Sequence, residues 1–265
     1  MKKHIYRFIL LSAALVFALP IALTVLNSFG VGGLETGAGE VAEAGSFSLK
    51  GYRGLLIENH WFYRNFWNSV FYSVVITLVN IAVSVPAAYA FRQTKFRGKN
   101  LLFTGYIVLM MMPLQVTLLP NYIGLRDLKL LDTPFAILLP AFFAPFSVFL
   151  MTQYMRGIED SMVEAALLET KSVFVILMKV VLPQIKACAA ALFLFVFAEN
   201  WNMAEQPDIY LKGDALKPFS VLLFAGGRLN TAEVLAGSVI FMLPIVILYL
   251  YFHDSLEDGL ESMKL

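Results

Sequence analysis

The sequence predicts an all-α membrane protein of six transmembrane helices, and three observations carry that reading. Apolar side chains make up 59% of the 265 residues and charged ones 15%, with mean hydropathy +0.72, a composition that suits lipid better than water. Six segments are long enough for a hydrocarbon layer roughly 30 Å thick, which takes about 20 helical residues at ~1.5 Å each. Their interiors lack the alternation of barrel strands, and backbone groups in lipid must be satisfied within the segment, so helix is the structure that fits.

The spans fall near Arg7–Asn27, Trp67–Phe91, Leu101–Pro120, Thr133–Tyr154, Pro183–Met203 and Ala232–Phe252. The first begins like a secretory signal, Lys2-Lys3 before Ile9–Leu19, but its apolar run continues past Pro20 to Leu26 and five more spans follow, so it is expected to remain as a helix. The connection Ser28–Phe66 opens with a small, acidic, glycine-rich stretch expected to be flexible, then gathers Tyr52, Trp61, Phe62, Tyr63 and Phe66, the aromatic content of a membrane boundary or a partner-facing element. The loop Arg92–Lys99 carries four cations and no acid. With both termini cytoplasmic, twelve of the twenty lysines and arginines lie inside, which is the orientation expected. These cations sit at membrane boundaries and form no single patch, so nucleic acid is not an expected partner. Prolines 86, 113, 120, 140, 145 and 244 lie within or at the ends of spans, where a missing N–H kinks a helix. After span five, Pro207, Pro218 and Gly226-Gly227 break up the segment Glu205–Arg228.

Between spans four and five lies a semi-polar hairpin. Gly157 ends the fourth helical region, Asp160-Ser161 can cap a new helix, and Ser161-x-x-Glu164 fits a capping box. Ala165, Ala166, Leu167 and Leu168 then form a short helix with no membrane span to join; Thr170-Lys171-Ser172 interrupts it, and Val173–Val181 runs up to Pro183, expected in the first turn of span five. Such a helix at the membrane face needs a protein to cover it.

Asn80, Gln115, Asn200 and Asn202 are polar groups within or near the spans, with Glu199 near the outer end of span five. At such depth a polar side chain either bonds a neighbouring helix or faces a watery pathway. The run Glu199-Asn200-Trp201-Asn202 is the strongest pathway candidate, because an aromatic face beside amides suits a sugar ring and its hydroxyls.

Enzyme chemistry finds no support. There is no Gly-x-Ser-x-Gly or His-Glu-x-x-His, His4, His60 and His253 are scattered, and no catalytic residues are expected. Cys188 alone makes neither a disulfide nor a cysteine metal cluster, and no metal site is expected. The phosphate loop Gly-x-x-x-x-Gly-Lys-[Ser/Thr] is missing too, so any ATP hydrolysis belongs to another chain.

The hairpin resembles the EAA signature of permease subunits of binding-protein-dependent ABC importers, in which Glu-Ala-Ala is followed after three residues by Gly and after nine more by Ile-x-Leu-Pro. Here Glu164-Ala165-Ala166 keeps that register through Thr170, at the glycine position, to Val180-Val181-Leu182-Pro183. Asn68-Ser69, Ala87-Ala88-Tyr89-Ala90-Phe91, Phe96-Arg97-Gly98-Lys99, Met112-Pro113 with Pro120, Phe197-Ala198-Glu199-Asn200-Trp201-Asn202 with Pro207, and the tail residues Gly259 and Lys264 extend the likeness to the carbohydrate branch and its smaller maltose-type permease.

The resemblance implies a type I importer fold, with residues 1–265 as one transmembrane domain in a bacterial or archaeal inner membrane and residues 158–182 as a coupling segment. It implies that Glu164, Ala165, Ala166, Leu168, Thr170 and Pro183 serve docking to a cytoplasmic ATPase dimer, and that Gly259 and Lys264 place the tail against the same partner. A second, non-identical permease and an extracytoplasmic solute-binding protein complete the assembly; ATP and Mg are used by the ATPase, with no cofactor held by this chain. A sugar or oligosaccharide is the implied cargo. A polyamine or polyol phosphate, or a stand-alone secondary transporter, are the other readings, the last disfavoured by the absence of a clearly central ionisable residue or an internal repeat. Because a β-branched residue resists positive φ, the first hairpin helix is predicted to end near Glu169–Lys171 without a left-handed residue at Thr170.

Overall fold

The computed structural model describes residues 2–30, 35–36, 40–41, 47–224 and 229–262. Helix α1 (Lys2–Ser28) is apolar on every side and exposed along most of its length, with Ser28 at its end buried. Side chains that meet only lipid or another subunit have no reason to be amphipathic. Beyond α1, strands β1 (Glu35–Thr36) and β2 (Glu40–Val41) form a two-residue antiparallel ladder that pairs Glu35 with Val41 and Thr36 with Glu40. Among the described residues this ladder is the sole departure from an all-α fold, and the rest of the glycine-rich stretch expected to be flexible lies outside them. Helix α2 (Lys50–Arg53) and a π turn (Gly54–Glu58) lead into α3 (Phe62–Gln93).

The bundle is built round α3. Asn65, Ser69, Ser73, Thr77, Asn80 and Ser84 recur at intervals of three or four and are all buried, so one face of α3 is a seam of small polar groups. Small side chains let backbones approach closely where lipid offers no hydrophobic drive between helices. Against this helix pack α7 (Pro145–Met155) and α11 (Lys186–Trp201). The sequence holds this periodicity openly, yet hydropathy averages over it.

Span three is not the straight helix expected. Helix α4 (Lys99–Met110) and α5 (Leu114–Asp127) meet at 103°. Pro113 is extended at ψ 147°, has no N–H to continue the ladder, and disfavours helical backbone at Met112. Span four, Phe135–Met155, is broken into α6 (Phe135–Ala141) and α7, with Ala144 extended before Pro145.

Span five is bent by 84° at Ile185, after α9 (Val173–Ile176), a π turn (Leu177–Val181) and α10 (Leu182–Gln184). Pro183 therefore lies before the bend rather than in the first turn of α11. Its ring displaces the Lys179 carbonyl from an α-helical ladder, and the backbone widens into the π turn, where Leu182 N–H reaches Leu177 O. Helices α12 (Glu205–Tyr210) and α13 (Phe219–Phe224) lead to α14 (Thr231–Ser262).

At the end of the bundle that carries α12, α3 side chains hold the segment 214–219. Asn68 Nδ2 donates to Ala215 O (2.9 Å) and Lys217 O (3.1 Å), Tyr72 OH to Leu216 O (3.0 Å), and Ser69 Oγ accepts from Phe219 N–H (2.8 Å). Asp132, left-handed at φ 60°, accepts the amides of Lys212 and Gly213 and stitches the α5–α6 connection to the residues just before that segment.

Candidate functional site

The hairpin emerges at the opposite end. Helix α8 (Asp160–Glu169) begins two residues earlier than a Ser161 cap requires, with Glu159 at its N-cap. Ser161 Oγ donates to Glu159 Oε2 at 3.2 Å, and Glu164 sits five positions into the helix, too far along to reach back. The capping box is thereby corrected, and the exposed Glu164 carboxylate is left without that structural duty.

Burial divides α8 into two faces. Val163 and Ala166 are buried against the bundle, whereas Ser161, Glu164 and Ala165 are exposed and Leu168 is 90% exposed. At 3.6 residues per turn these four share one outward arc. A leucine presented that fully, beside an acid and an alanine, makes a compact surface with an apolar centre. Thr170 ends the helix at φ −147° and ψ 141°, as the sequence predicts, and its Oγ accepts the Ser172 amide at 3.2 Å. Arg92, at the end of α3, donates through Nη2 to Ile158 O and ties the hairpin's entry to the central helix.

A cleft of about 690 Å³ opens between the α6–α7 break and the end of α11. Its deepest polar group is Asn80, which lies 18 residues beyond the start of α3 and 13 before its end, close to mid-span. The local chemistry follows from Pro145. Ala141 O would receive the amide of residue 145 in a continuous helix, but Pro145 has none. Asn80 Nδ2 supplies the missing donor at 2.6 Å. Reversing the amide would set oxygen against oxygen, so this bond fixes its orientation. The Asn80 Oδ1 is buried with no partner in the chain.

The structure brings Asn80, Glu199, Asn200 and Asn202 together along the cleft, joined by Glu205 and Gln206. The last two open α12, and the non-helical turn 202–204 after α11 sets them beside Asn202. Gln115 is exposed on α5 and does not line the cleft, although its neighbour Leu114 does. Trp201 is corrected as well. It is wholly buried, stacks on Phe197 and Phe241, and donates Nε1–H to Phe241 O at 3.0 Å, so its ring is core and offers no face to a solute in this conformation. Asn200 and Asn202 each turn Nδ2 back onto their own helix, to Val196 O and Ala198 O, both at 2.7 Å. Of the tail residues, Gly259 falls within α14 and Lys264 lies outside the described residues. Pro183 is exposed beside the span-five bend.

Apolar helical segments of membrane length, two of them sharply bent, with a polar cleft reaching mid-span and an exposed hairpin at the far end, define a multi-pass membrane protein built around a recess. The chain belongs to the family of binding-protein-dependent transport system inner membrane components, whose pattern it matches over residues 80–262. It is a transport permease with the type I ABC importer fold. The arabinooligosaccharides transport system permease protein AraQ of Halalkalibacterium halodurans is 28% identical over 231 residues, covering 86% of this chain and 82% of that one. The sn-glycerol-3-phosphate transport system permease protein UgpE of Shigella flexneri is 28% identical over 208 residues, 77% of this chain and 74% of its own. A bacterial ABC transporter involved in the import of the acidic polysaccharide alginate superposes with a TM-score of 0.80 at 25% identity, covering 95% of each chain.

Proposed function

We propose that this chain forms half of the translocation pathway of an ATP-driven importer for a sugar or oligosaccharide. The other half is a second, non-identical permease, cargo arrives on an extracytoplasmic binding protein, and a cytoplasmic ATPase dimer uses ATP and Mg. Residues 1–265 act as one transmembrane domain, this chain holds no cofactor, and both termini are cytoplasmic, so the hairpin end faces the ATPases. Glycan cargo is supported by the arabinooligosaccharide relative, which aligns with more of the chain than the glycerol-phosphate one, and by the alginate importer.

The observation that carries this reading is the two-faced helix α8. Val163 and Ala166 anchor it to the bundle, while Glu164, Ala165 and Leu168 face away. A cleft on an ATPase that covers Leu168 gains about 2 kcal/mol from that side chain alone, and Ala165 lets the surfaces close. Closure of the ATPases on ATP pushes α8, and the push passes through the 173–185 segment into α11. The segment 158–182, with Thr170 ending α8 and Pro183 at its exit, is the coupling element, and the tail around Gly259 and Lys264 adds a second contact.

Glu164→Lys combined with Ala165→Trp tests this in the reconstituted importer. Solute-stimulated ATPase activity is expected to fall about tenfold, the loss of one interfacial hot spot, while the permease remains folded. Unchanged stimulation would overturn the assignment.

A further inference from the structure

We infer that the cleft beside Asn80 is a cargo subsite on this subunit for uncharged polyhydroxylated solutes, and that its lining turns away anionic ones. The inference rests on the importer reading and narrows the class of cargo.

The argument turns on the balance of donors and acceptors. Asn80 Oδ1 is a buried acceptor with no partner, in a side chain only 1% exposed that lines the cleft. A buried unmet acceptor is costly, and it is retained where a ligand completes it. Asn200 and Asn202 each spend one of their two N–H groups on their own helix, and their oxygens accept no bond among the described residues. Glu199 and Glu205 add two carboxylates, and among the described residues no lysine, arginine or histidine lines the cleft. Against these acceptors stand the amide of Gln206 and the second N–H of Asn200 and of Asn202, so acceptors outnumber donors.

A lining so rich in acceptors asks its ligand for donors. Sugar hydroxyls supply them in number. A phosphate or carboxylate group brings acceptors and a negative charge against two carboxylates, which repel it. Cations would satisfy the charge, but the rest of the lining is Phe143, Phe224, Pro140 and Pro145, flat apolar surface that suits the C–H face of a sugar ring better than a flexible ammonium chain.

The placement fits a pathway. The cleft runs from Glu205, past the end of α11, down to Asn80 near mid-span, and its floor is the Pro140–Pro145 break that Asn80 itself holds together. Broken helices at the bilayer midplane are where transporters expose backbone and side-chain polar groups to cargo.

The test uses the assembled importer in proteoliposomes with its own binding protein, so that the binding protein is the same in every arm. Uptake is measured for a neutral arabinopentaose, an oligogalacturonate of equal length, and spermidine. The neutral sugar is expected to enter at least about tenfold faster than either charged probe, the discrimination expected from one unpaired buried polar group. Glu199→Gln, at an exposed position where folding is not at stake, is expected to slow neutral uptake about threefold. Asn80→Leu is expected to slow it about tenfold, with co-purification of the ATPase reporting assembly. Preferred uptake of the oligogalacturonate or of spermidine would overturn the inference and leave the importer standing. Wild-type rates in the Glu199→Gln importer would remove the subsite from this subunit. Failure of all three probes to enter would bring down the glycan reading itself, and the subsite with it.

Discussion

Spans four and five are both broken by proline, and they deal with the orphaned backbone in opposite ways. In span four, Pro145 leaves Ala141 O without its amide, and the donor comes from another helix, Asn80 on α3. In span five, the bonds around Pro183 stay within the segment. Leu182 N–H bonds Leu177 O, Ile185 N–H bonds Val181 O at 3.1 Å, and Gln184 Nε2 bonds Val180 O at 2.9 Å, all inside the segment. A break tied across the bundle cannot move without exposing a buried polar pair, whereas a break tied to itself can bend with its bonds intact. In the proposed coupling, the first serves as a fixed wall for the cleft and the second as the hinge between α8 and α11.

The largest expected effect comes from cutting the cross-bundle tie. Asn80→Leu leaves Ala141 O buried and unpaired, a loss of about 1–3 kcal/mol. A thermal melt in detergent should show it as a clear drop in Tm. If the melt is unmoved, Asn80 is not what holds span four, and the wall and hinge are not different in kind.

Pro183→Ala sharpens the other side. Restoring the amide lets the 177–187 region return to a regular α-helix, with a stability change under about 1 kcal/mol because no cross-bundle bond is lost. A stiffened hinge passes ATPase motion differently, so solute-stimulated hydrolysis should change about threefold while Tm stays nearly constant. A Tm drop as large as that of Asn80→Leu, with stimulation unchanged, would make Pro183 a structural prop rather than a hinge.

The contrast also marks what the sequence discloses. Six apolar runs and the register from Glu164 to Pro183 are patterns of composition and spacing, and the spans and the hairpin follow from them. The prolines are equally plain, but the angle of a break depends on which neighbour satisfies the freed carbonyl, and Asn80 is 61 residues from Ala141. Trp201 misleads for a similar reason. An indole beside amides suits a sugar, yet Phe66, Phe197 and Phe241 enclose it, and two of those rings come from distant segments. Glu199, Asn200 and Asn202 surround Trp201 in sequence but share the cleft without it, because the face of α11 that reaches the cleft is decided by packing against α3 and α14.

Thr170 carries the smallest effect, and it separates the hairpin's turn from the hinge beyond it. Glycine at the matching position of the signature invites a left-handed turn, but here the backbone is extended, a conformation any residue adopts. Thr170→Gly therefore gains no relief of strain. It gives up the Oγ acceptor for Ser172 N–H and adds freedom to the unfolded chain, a cost of about 0.5–1 kcal/mol. Stimulated ATPase activity should be unaltered, since α8 still ends at Glu169 and its outward arc is untouched. A several-fold gain in stimulation would show that the turn, and not the π segment before Pro183, limits how motion passes from α8 into the membrane.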